Sequence, residues 1–215
     1  MKKIVAFCMA VFFILTSGCL AQFSGQLSTA KATKEGGLLG GGYIGIYEDA
    51  FSIFGQVRYG FITDLDGGFK LGILNLDPGN GFGESETGVI LGGDIKYQIL
   101  NLKASDPLDF SFGFGMEYLN ISDYSLFSFG GNLVGSYDFE LKSKKVVTPY
   151  GRLNLRGERV EVSIPGGTGS NDDTDFDIAF SLGCNLQMTS ELSMIAELQI
   201  DDNVGVIGGI SYYIF

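Results

Sequence analysis

The sequence predicts an all-β protein, a single antiparallel up-and-down transmembrane β-barrel of ten strands. The first observation is a period of two: between Leu108 and Tyr118, every second residue is large and apolar, whereas the residues between them are Asp, Ser, Gly, Gly and Glu. Successive side chains of a strand point to opposite faces, so this segment is a strand with one bulky face. The bulky face does not fit a narrow barrel interior, so it is expected to meet lipid, with the small and polar face lining the lumen.

The same pattern recurs along most of the chain and divides it into three parts. Residues 1–21 are predicted to be a signal peptide, residues 22–37 a polar periplasmic lead-in, and residues 38–215 an outer-membrane barrel. An eight-stranded barrel is the alternative if the first two segments are misread. The ten strands are predicted at Leu38–Tyr47, Ala50–Ile62, Gly67–Leu76, Thr87–Leu100, Leu108–Asn120, Leu126–Leu141, Val146–Val162, Phe176–Met188, Leu192–Ile200 and Val204–Phe215.

The N-terminus has the features of a secretory signal. Lys2 and Lys3 precede the apolar run Ile4–Leu15, which is too short to span a bilayer, and cleavage is expected after Ala21. The alternative is a lipoprotein signal in which Cys19 is lipidated and becomes the first residue. Both hypotheses predict export.

The connections between strands support ten strands. Connections on one side are short, whereas the two longest, 77–86 and 163–175, both fall on the other side. Membrane barrels have short periplasmic turns and longer external loops, so both long loops are predicted outside.

A soluble barrel is disfavoured because its outer face would carry long Lys and Glu side chains. Tyrosines near strand ends are predicted to form interfacial girdles. They are Tyr43, Tyr47, Tyr59, Tyr97, Tyr118, Tyr137, Tyr212 and Tyr213.

Composition excludes several functions. The formal charge of −11 argues against nucleic acid, whose phosphates need Lys and Arg. Histidine is absent, which excludes Ser-His-Asp catalysis and histidine metal sites; we expect no enzyme, no metal and no cofactor. The acidic run Asn171–Asp175 lacks the spacing of an EF-hand, so it is interpreted as a solvated external loop. Cys184 falls on an apolar face and is interpreted as a small hydrophobe.

Charged residues on the polar row are the candidate site. Lys70 is predicted opposite Asp94, and Arg152 and Arg156 between strands that carry acids. Two hypotheses follow: a cation-favouring constriction of a small pore, or a network of ion pairs that fills the lumen. The predicted lumen charges are Arg58, Lys70, Asp94, Lys96, Asp109, Glu117, Asp138, Glu140, Arg152, Arg156, Glu158, Asp177 and Glu197.

The signal peptide, the alternating strands, the tight turn within Tyr59–Asp66 and the final Ser211–Phe215 together resemble the small bacterial outer-membrane β-barrel (porin-like) proteins. The resemblance implies an outer-membrane location, contact with outer-membrane lipid, and insertion by the barrel-assembly machinery. It also implies that Tyr213 and Phe215 are the aromatic positions of the assembly signal, although Gly209 is one place from the usual glycine. It implies no particular solute and no oligomeric state.

The resulting functional prediction is a porin-like protein that passes small polar solutes or has a structural role in the outer membrane. The alternative is a surface recognition or adhesion protein that acts through the external loops 77–86 and 163–175.

Overall fold

The computed structural model describes residues 27–76, 85–104, 106–122, 124–163, 170–201 and 204–215, without the side chains of 162, 163 and 170–173. The predicted signal peptide, Cys19 and most of the loop 77–86 lie outside these residues. No helix among the described residues is long and apolar enough to cross a membrane.

The described strands form one closed antiparallel barrel, in which each strand pairs with its neighbours along the chain. The first and last strands, β1 and β11, pair with each other, and β6 pairs with β8, so the ring of strands has no free edge among the described residues. The two-residue β7 continues β6 after a break at Tyr137–Asp138, and both pair with β8. The predicted ten-strand barrel is therefore confirmed, with β7 as one extra short strand. The strands are β1 Leu38–Tyr47, β2 Ala50–Ile62, β3 Leu65–Leu76, β4 Glu86–Leu100, β5 Asp109–Ile121, β6 Tyr124–Ser136, β7 Phe139–Glu140, β8 Val146–Ser163, β9 Ser170–Gln187, β10 Leu192–Ile200 and β11 Val204–Tyr213, with a short 3-10 helix at Leu102–Ala104.

The predicted external loop 163–175 is mostly strand. β8 extends to Ser163 and β9 begins at Ser170, so the connection is reduced to residues 164–169. Asn and Asp are poor strand formers, yet each of them in this stretch lies opposite a β8 residue, as Asp173 does opposite Val160. Cross-strand pairing therefore overrides the local preference of the acidic run.

The two faces of the wall differ as the alternation predicts. In β5, the side chains of Phe112, Phe114 and Met116 are 45–51% exposed, whereas the neighbouring Ser111, on the opposite face of the strand, is fully buried. The predicted girdle tyrosines Tyr59, Tyr97, Tyr118, Tyr137 and Tyr212 lie on the exposed face. The outer surface of the barrel is therefore an apolar belt.

The prediction was wrong for Tyr43 and Tyr47, which point into the lumen, and for Tyr213, which lines a cavity at the end of the barrel where β11 ends. Tyr43 is 3% and Tyr47 9% exposed. Tyr43 stacks on Phe54 with 5.3 Å between ring centroids, and its hydroxyl is 2.7 Å from Ser211 Oγ. Gly41 makes room for the ring, because a Cβ there would collide with the Tyr43 hydroxyl. The glycines of β1 thus leave room for large inward-facing side chains, although small side chains were expected on the lumen face.

Apolar side chains also line the lumen at one end. At the end opposite the short turns, which we call the outer end, β3, β4, β5 and β6 turn a buried apolar group inward. This outer apolar cluster consists of Leu74, Ile90, Leu119, Ile121 and Leu126, with Leu76, Tyr124 and Val160 packed against it. The inward row is therefore polar over only part of its length.

The polar segment expected as a lead-in outside the barrel lies inside it instead. Leu27 is 2% exposed and Ala30 is fully buried, both among inward-facing wall residues. The chain leaves the lumen at Lys34–Gly37, where Gly36 has a φ of 71° and the Gly37 N–H donates to the Lys34 carbonyl at 2.8 Å. Residues 27–34, which we call the N-terminal segment, are therefore part of the lumen.

Replacing Phe114 by Lys would place a charge on the lipid face near the middle of β5. We expect the free energy of unfolding in lipid vesicles to fall by about 2–4 kcal/mol, because a lysine at the bilayer midplane costs that much. Ile62→Lys, at the rim end of β2, is the matched control and should cost about 0–1 kcal/mol. Equal losses from the two variants, measured by urea titration, would contradict the lipid-facing assignment.

Candidate functional site: the barrel lumen

The lumen contains the charged residues that the sequence singled out. We call the end with the short turns, where β1 begins and β11 ends, the mouth. Most of the predicted lumen charges are buried: Arg58, Lys70, Lys96, Asp109, Glu117, Arg152, Arg156, Glu158 and Glu197. Asp94, Asp138 and Asp177 are partly exposed. Glu140 does not fit the prediction, because it is exposed in β7 at the rim and has no ion pair among the described residues.

Arg58 is the centre of the first charged cluster. Its guanidinium donates to Asp66 Oδ1 at 2.5 Å and to both carboxylate oxygens of Asp94, at 2.8 and 3.0 Å. The Nζ of Lys96 lies 3.5 Å from Asp66 Oδ2. Two cations and two carboxylates thus share one buried site, where fixed hydrogen bonds replace hydration.

The predicted pair of Lys70 with Asp94 was wrong. The register places Lys70 opposite Gly92 and Asp94 opposite Gly68, two residues from the expected alignment. Lys70 instead forms an ion pair with Glu117 of β5, and its Nζ lies 5.5 Å from the centre of the Phe54 ring. The register of a hairpin depends on its loop, and a shift of two residues keeps the faces while exchanging the partners.

Arg152 and Glu197 form the second charged cluster, an ion pair whose two side chains are both fully inaccessible to solvent. Glu197 also accepts a hydrogen bond from the Tyr150 hydroxyl at 2.5 Å and one from Gln199 Nε2 at 2.9 Å. The carboxylate is therefore held by three groups from β8 and β10, which fixes both partners across the lumen.

Arg156 forms the third cluster, nearer the outer end. It pairs with Glu158 at 2.7 Å, with Asp201, and with Asp177 at 3.7 Å. The register places Arg156 directly opposite Asp177, on the strand that was expected to carry this acid beside the arginines. Asp138, expected on the other side of the arginines, instead accepts from the Thr148 hydroxyl at 2.7 Å and pairs with Lys31.

The N-terminal segment binds the wall mainly through its backbone. Gln56 is hydrogen-bonded to both the N–H and the carbonyl of Leu27, each at 3.3 Å. The Ala32 N–H donates to Gln98 Oε1 at 2.8 Å and the Thr33 N–H to Asp66 Oδ2 at 2.7 Å. The wall therefore supplies side-chain partners for a chain that has no sheet neighbours of its own at these positions.

Lys96 forms more hydrogen bonds with the segment than any other described wall residue. Its Nζ donates to the Thr29 carbonyl at 2.9 Å, the Lys31 carbonyl at 2.7 Å and the Ser28 hydroxyl at 3.0 Å. An ammonium group has three donors, and three acceptors of the segment lie within hydrogen-bonding distance of this one. The same lysine lies beside Asp66, so it links the segment to the Arg58 cluster.

A cavity of about 320 Å³ lies beside the segment at the mouth. Its far wall is made by β9, β10 and β11, through residues such as Asn185, Ser193 and Ser211, and Tyr213 also lines it. A second cavity of about 300 Å³ lies between the segment, the turn after β2 and the end of β4. The segment is therefore hydrogen-bonded to one half of the wall and has open space on both sides at the mouth.

Beyond these cavities, many of the described inward-facing residues are buried. Ser52, Asp109, Ser111 and Ile207 are fully buried, although they lie on different strands and at different depths. A conducting lumen would leave such residues in contact with water. The described charges are thus fixed in ion pairs rather than arranged along an open path, and the described residues contain no cluster of three metal-ligating side chains.

Several lumen residues were missed by sequence reasoning. Gln56, Asp66 and Gln98 lie on the same alternating rows as the predicted charges and could have been found by including every polar inward position. Asp201, in the bend after β10, and Lys31, in the N-terminal segment, could not, because only the closed barrel brings them to their partners.

The other single residues are placed as follows. Cys184 is exposed on the outer face and has no disulfide partner among the described residues. Phe215 is 64% exposed, and its carbonyl accepts from the Leu38 N–H at 2.9 Å, next to the seam of β1 and β11. The predicted assembly role of Tyr213 and Phe215 remains a prediction.

The apolar belt, the closed antiparallel wall and the filled polar lumen together define a transmembrane β-barrel. No family model and no curated protein matches the sequence. Among solved structures, the β-domain of the Bordetella autotransporter Brka is 11% identical, with 83% of this chain and 99% of that chain covered and a TM-score of 0.48. The N-terminal β-barrel domain of Pseudomonas aeruginosa OprF is 9% identical, with 84% and 99% covered and a TM-score of 0.40. At these identities, the likeness is one of barrel architecture alone.

Removing one member of the Arg152–Glu197 pair should destabilise the barrel more than removing both. Glu197→Leu removes the carboxylate that pairs with the buried Arg152 guanidinium and should lower the free energy of unfolding by about 3–5 kcal/mol. In Arg152→Met/Glu197→Leu, most of that loss should be recovered, because both members of the ion pair are replaced together. Denaturant titration of refolded protein measures both. A double variant as unstable as the single one would show that the pair is not the source of the loss.

Proposed function

We propose that the protein is an outer-membrane β-barrel with a structural role, porin-like in architecture but with its lumen closed in the state described here. The observation that carries the proposal is the burial of the inward-facing residues from the mouth side to the outer apolar cluster. A ten-strand barrel is close to the size that side chains fill, and here they do fill it.

The outer-membrane location is supported by physical arguments. Closed barrels satisfy every backbone group of the wall internally, which lets strands cross lipid. The alternating strands, the apolar belt and the predicted signal peptide all suit an exported barrel, and the exposed aromatic Phe215 suits recognition by the barrel-assembly machinery.

Passive passage of small polar solutes would require a second state of the lumen. At the outer end, Leu74, Ile90 and Leu119 would have to separate, and the Arg58 cluster would have to exchange its ion pairs for water. A network of buried charge-assisted hydrogen bonds resists such an exchange. In this proposal, the closed barrel is therefore the main state of the protein, and any passage of solutes would depend on a less stable open state.

Purified full-length protein should give no stepwise currents in a planar lipid bilayer. The closed lumen offers ions no continuous hydrated path, so the expected current is that of the bare bilayer. Insertion is verified separately, by protease protection and by the heat-dependent gel mobility typical of folded barrels. Ion-selective steps from inserted protein would instead favour the small-pore hypothesis and refute the structural one.

Surface recognition is the second candidate function, and the β8–β9 hairpin favours it. Both strands have 18 residues, whereas β10 has nine and its pairing with β9 ends at Phe180–Ile200. Ser170–Ala179 therefore extends past β10 for roughly 30 Å of strand. On this projection Phe176 is 82% and Ile178 69% exposed, the highest values among the large hydrophobic residues described.

Shortening this hairpin tests the recognition role. Replacing residues 160–173 by Asn-Gly connects Arg159 to its partner Thr174 through a two-residue turn and gives up three β6–β8 pairs at the outer end. If the hairpin recognises a host or envelope surface, cells displaying the shortened barrel should lose adhesion, because the end of the hairpin is gone while the other strand pairs of the wall are kept. Lys103→Ala, on the opposite rim, is the control and should adhere normally. Undiminished adhesion by correctly folded shortened protein would exclude the hairpin as the binding element.

A further inference from the structure

We propose that the mouth of the barrel is a binding site for an extended peptide, which the chain fills with its own residues 27–34 as a removable plug. This inference goes beyond the structural role proposed above and does not depend on it. It rests on how the segment is held, on which part of the wall holds it, and on the space left beside it.

The wall recognises the backbone of the segment more than its side chains. Backbone groups of Leu27, Thr29, Ala30, Ala32 and Thr33 each have a wall partner. Recognition of an extended chain through main-chain hydrogen bonds is the general mode by which proteins bind peptides along a strand edge. Here the partners are lumen side chains, since the wall's own backbone groups are used within the barrel.

The small side chains of the segment fit a narrow site. Ala30 is fully buried, and its N–H donates to Ser136 Oγ at 3.2 Å. Lys31 is the one long side chain directed at acids of the wall, with Asp138 as its ion-pair partner and Asp109 Oδ2 at 3.9 Å. A preferred ligand is thus an extended peptide of small residues with one lysine.

The contacts of the segment lie on one side only. Its described wall partners belong to β2 through β6 and the break before β7, namely Gln56, Asp66, Lys96, Gln98, Ser136 and Asp138. The cavity of about 320 Å³ separates it from β9–β11. A segment integrated into the core would be packed on all sides, whereas one held on a single side can leave without disturbing the other half of the barrel.

The exit of the segment at the rim is built for close approach. Gly60 of β2 accepts a hydrogen bond from the Gly36 N–H at 2.9 Å, and a Cβ on Gly60 would collide with the Lys34 carbonyl. Glu35 and Gly60 form an isolated parallel bridge at this point. The segment therefore pivots at a fixed point on the rim, and residues 27–33 form the part that can swing out.

Thiol accessibility in full-length, folded protein tests the plug. In a background whose other cysteines are serine, Ala30→Cys reports release of the segment and Ser111→Cys reports opening of the lumen behind it, because both positions are fully buried. A small water-soluble maleimide should label both reporters slowly. Adding Gln56→Leu, which removes two hydrogen bonds to Leu27, should raise both labelling rates by about tenfold or more through a larger open population.

Matched lumen variants separate release of the plug from general loosening. Lys96→Met removes three contacts with the segment and should accelerate both reporters, whereas Lys70→Met/Glu117→Leu replaces a whole ion pair of the wall and should accelerate neither. Gln199→Leu is the corresponding control for Gln56→Leu, since Gln199 donates to Glu197. Heat-dependent gel mobility confirms that each variant is folded.

Three outcomes would overturn the proposal. Fast labelling of both reporters in the otherwise unchanged barrel would show that the segment does not occupy the mouth. Faster labelling of Ala30→Cys without faster labelling of Ser111→Cys would show that release of the segment does not open the lumen behind it. Equal acceleration by Lys70→Met/Glu117→Leu and by Lys96→Met would show that the lumen loosens as a whole. These measurements do not depend on conduction. The plug proposal can therefore be refuted while the structural role is upheld, and the structural role can be refuted while the plug proposal is upheld.

Discussion

The structure depends on one constraint: a lumen of ten strands is too narrow to hydrate the charges that its own wall turns inward. The outer face must be apolar to meet lipid, so the polar residues of each strand are forced to the inside. There each charge needs a protein partner, because an unpaired buried charge is costly. The Arg58, Arg152 and Arg156 clusters are three solutions to this requirement, and each joins strands that are not all neighbours.

The N-terminal segment satisfies part of the same requirement. Lys96 is fully buried, and the nearest wall acid, Asp66, is already shared with Arg58. Carbonyl oxygens of the segment supply the remaining acceptors for its ammonium group. The segment is therefore an electrostatic partner of the wall as well as an obstacle in the lumen, and its position follows from a charge that the wall alone leaves incompletely coordinated.

The sequence predicts the wall well because the signal is local. Alternation determines the face of each residue within a strand, and the bounds of β1, β2 and β10 follow from it. Partners across the lumen are not local. The choice of Glu117 rather than Asp94 by Lys70 depends on hairpin register, and the inward position of Tyr43 depends on space left by Gly41. The burial of residues 27–34 could not be predicted, because a short polar stretch before the first strand has the same composition inside a lumen or outside it.

The one-sided placement of the segment also constrains the order of assembly. β1 and β11 come together only when the last strand is in place, and they form the seam of the barrel. The wall partners of the segment, in contrast, lie on β2 to β6 and, for Asp138, in the break that follows β6, so none of them belongs to the last strands. The plug can therefore be seated while the sheet is still open, so that the seam closes over a lumen already occupied and a hollow barrel is never an obligatory intermediate.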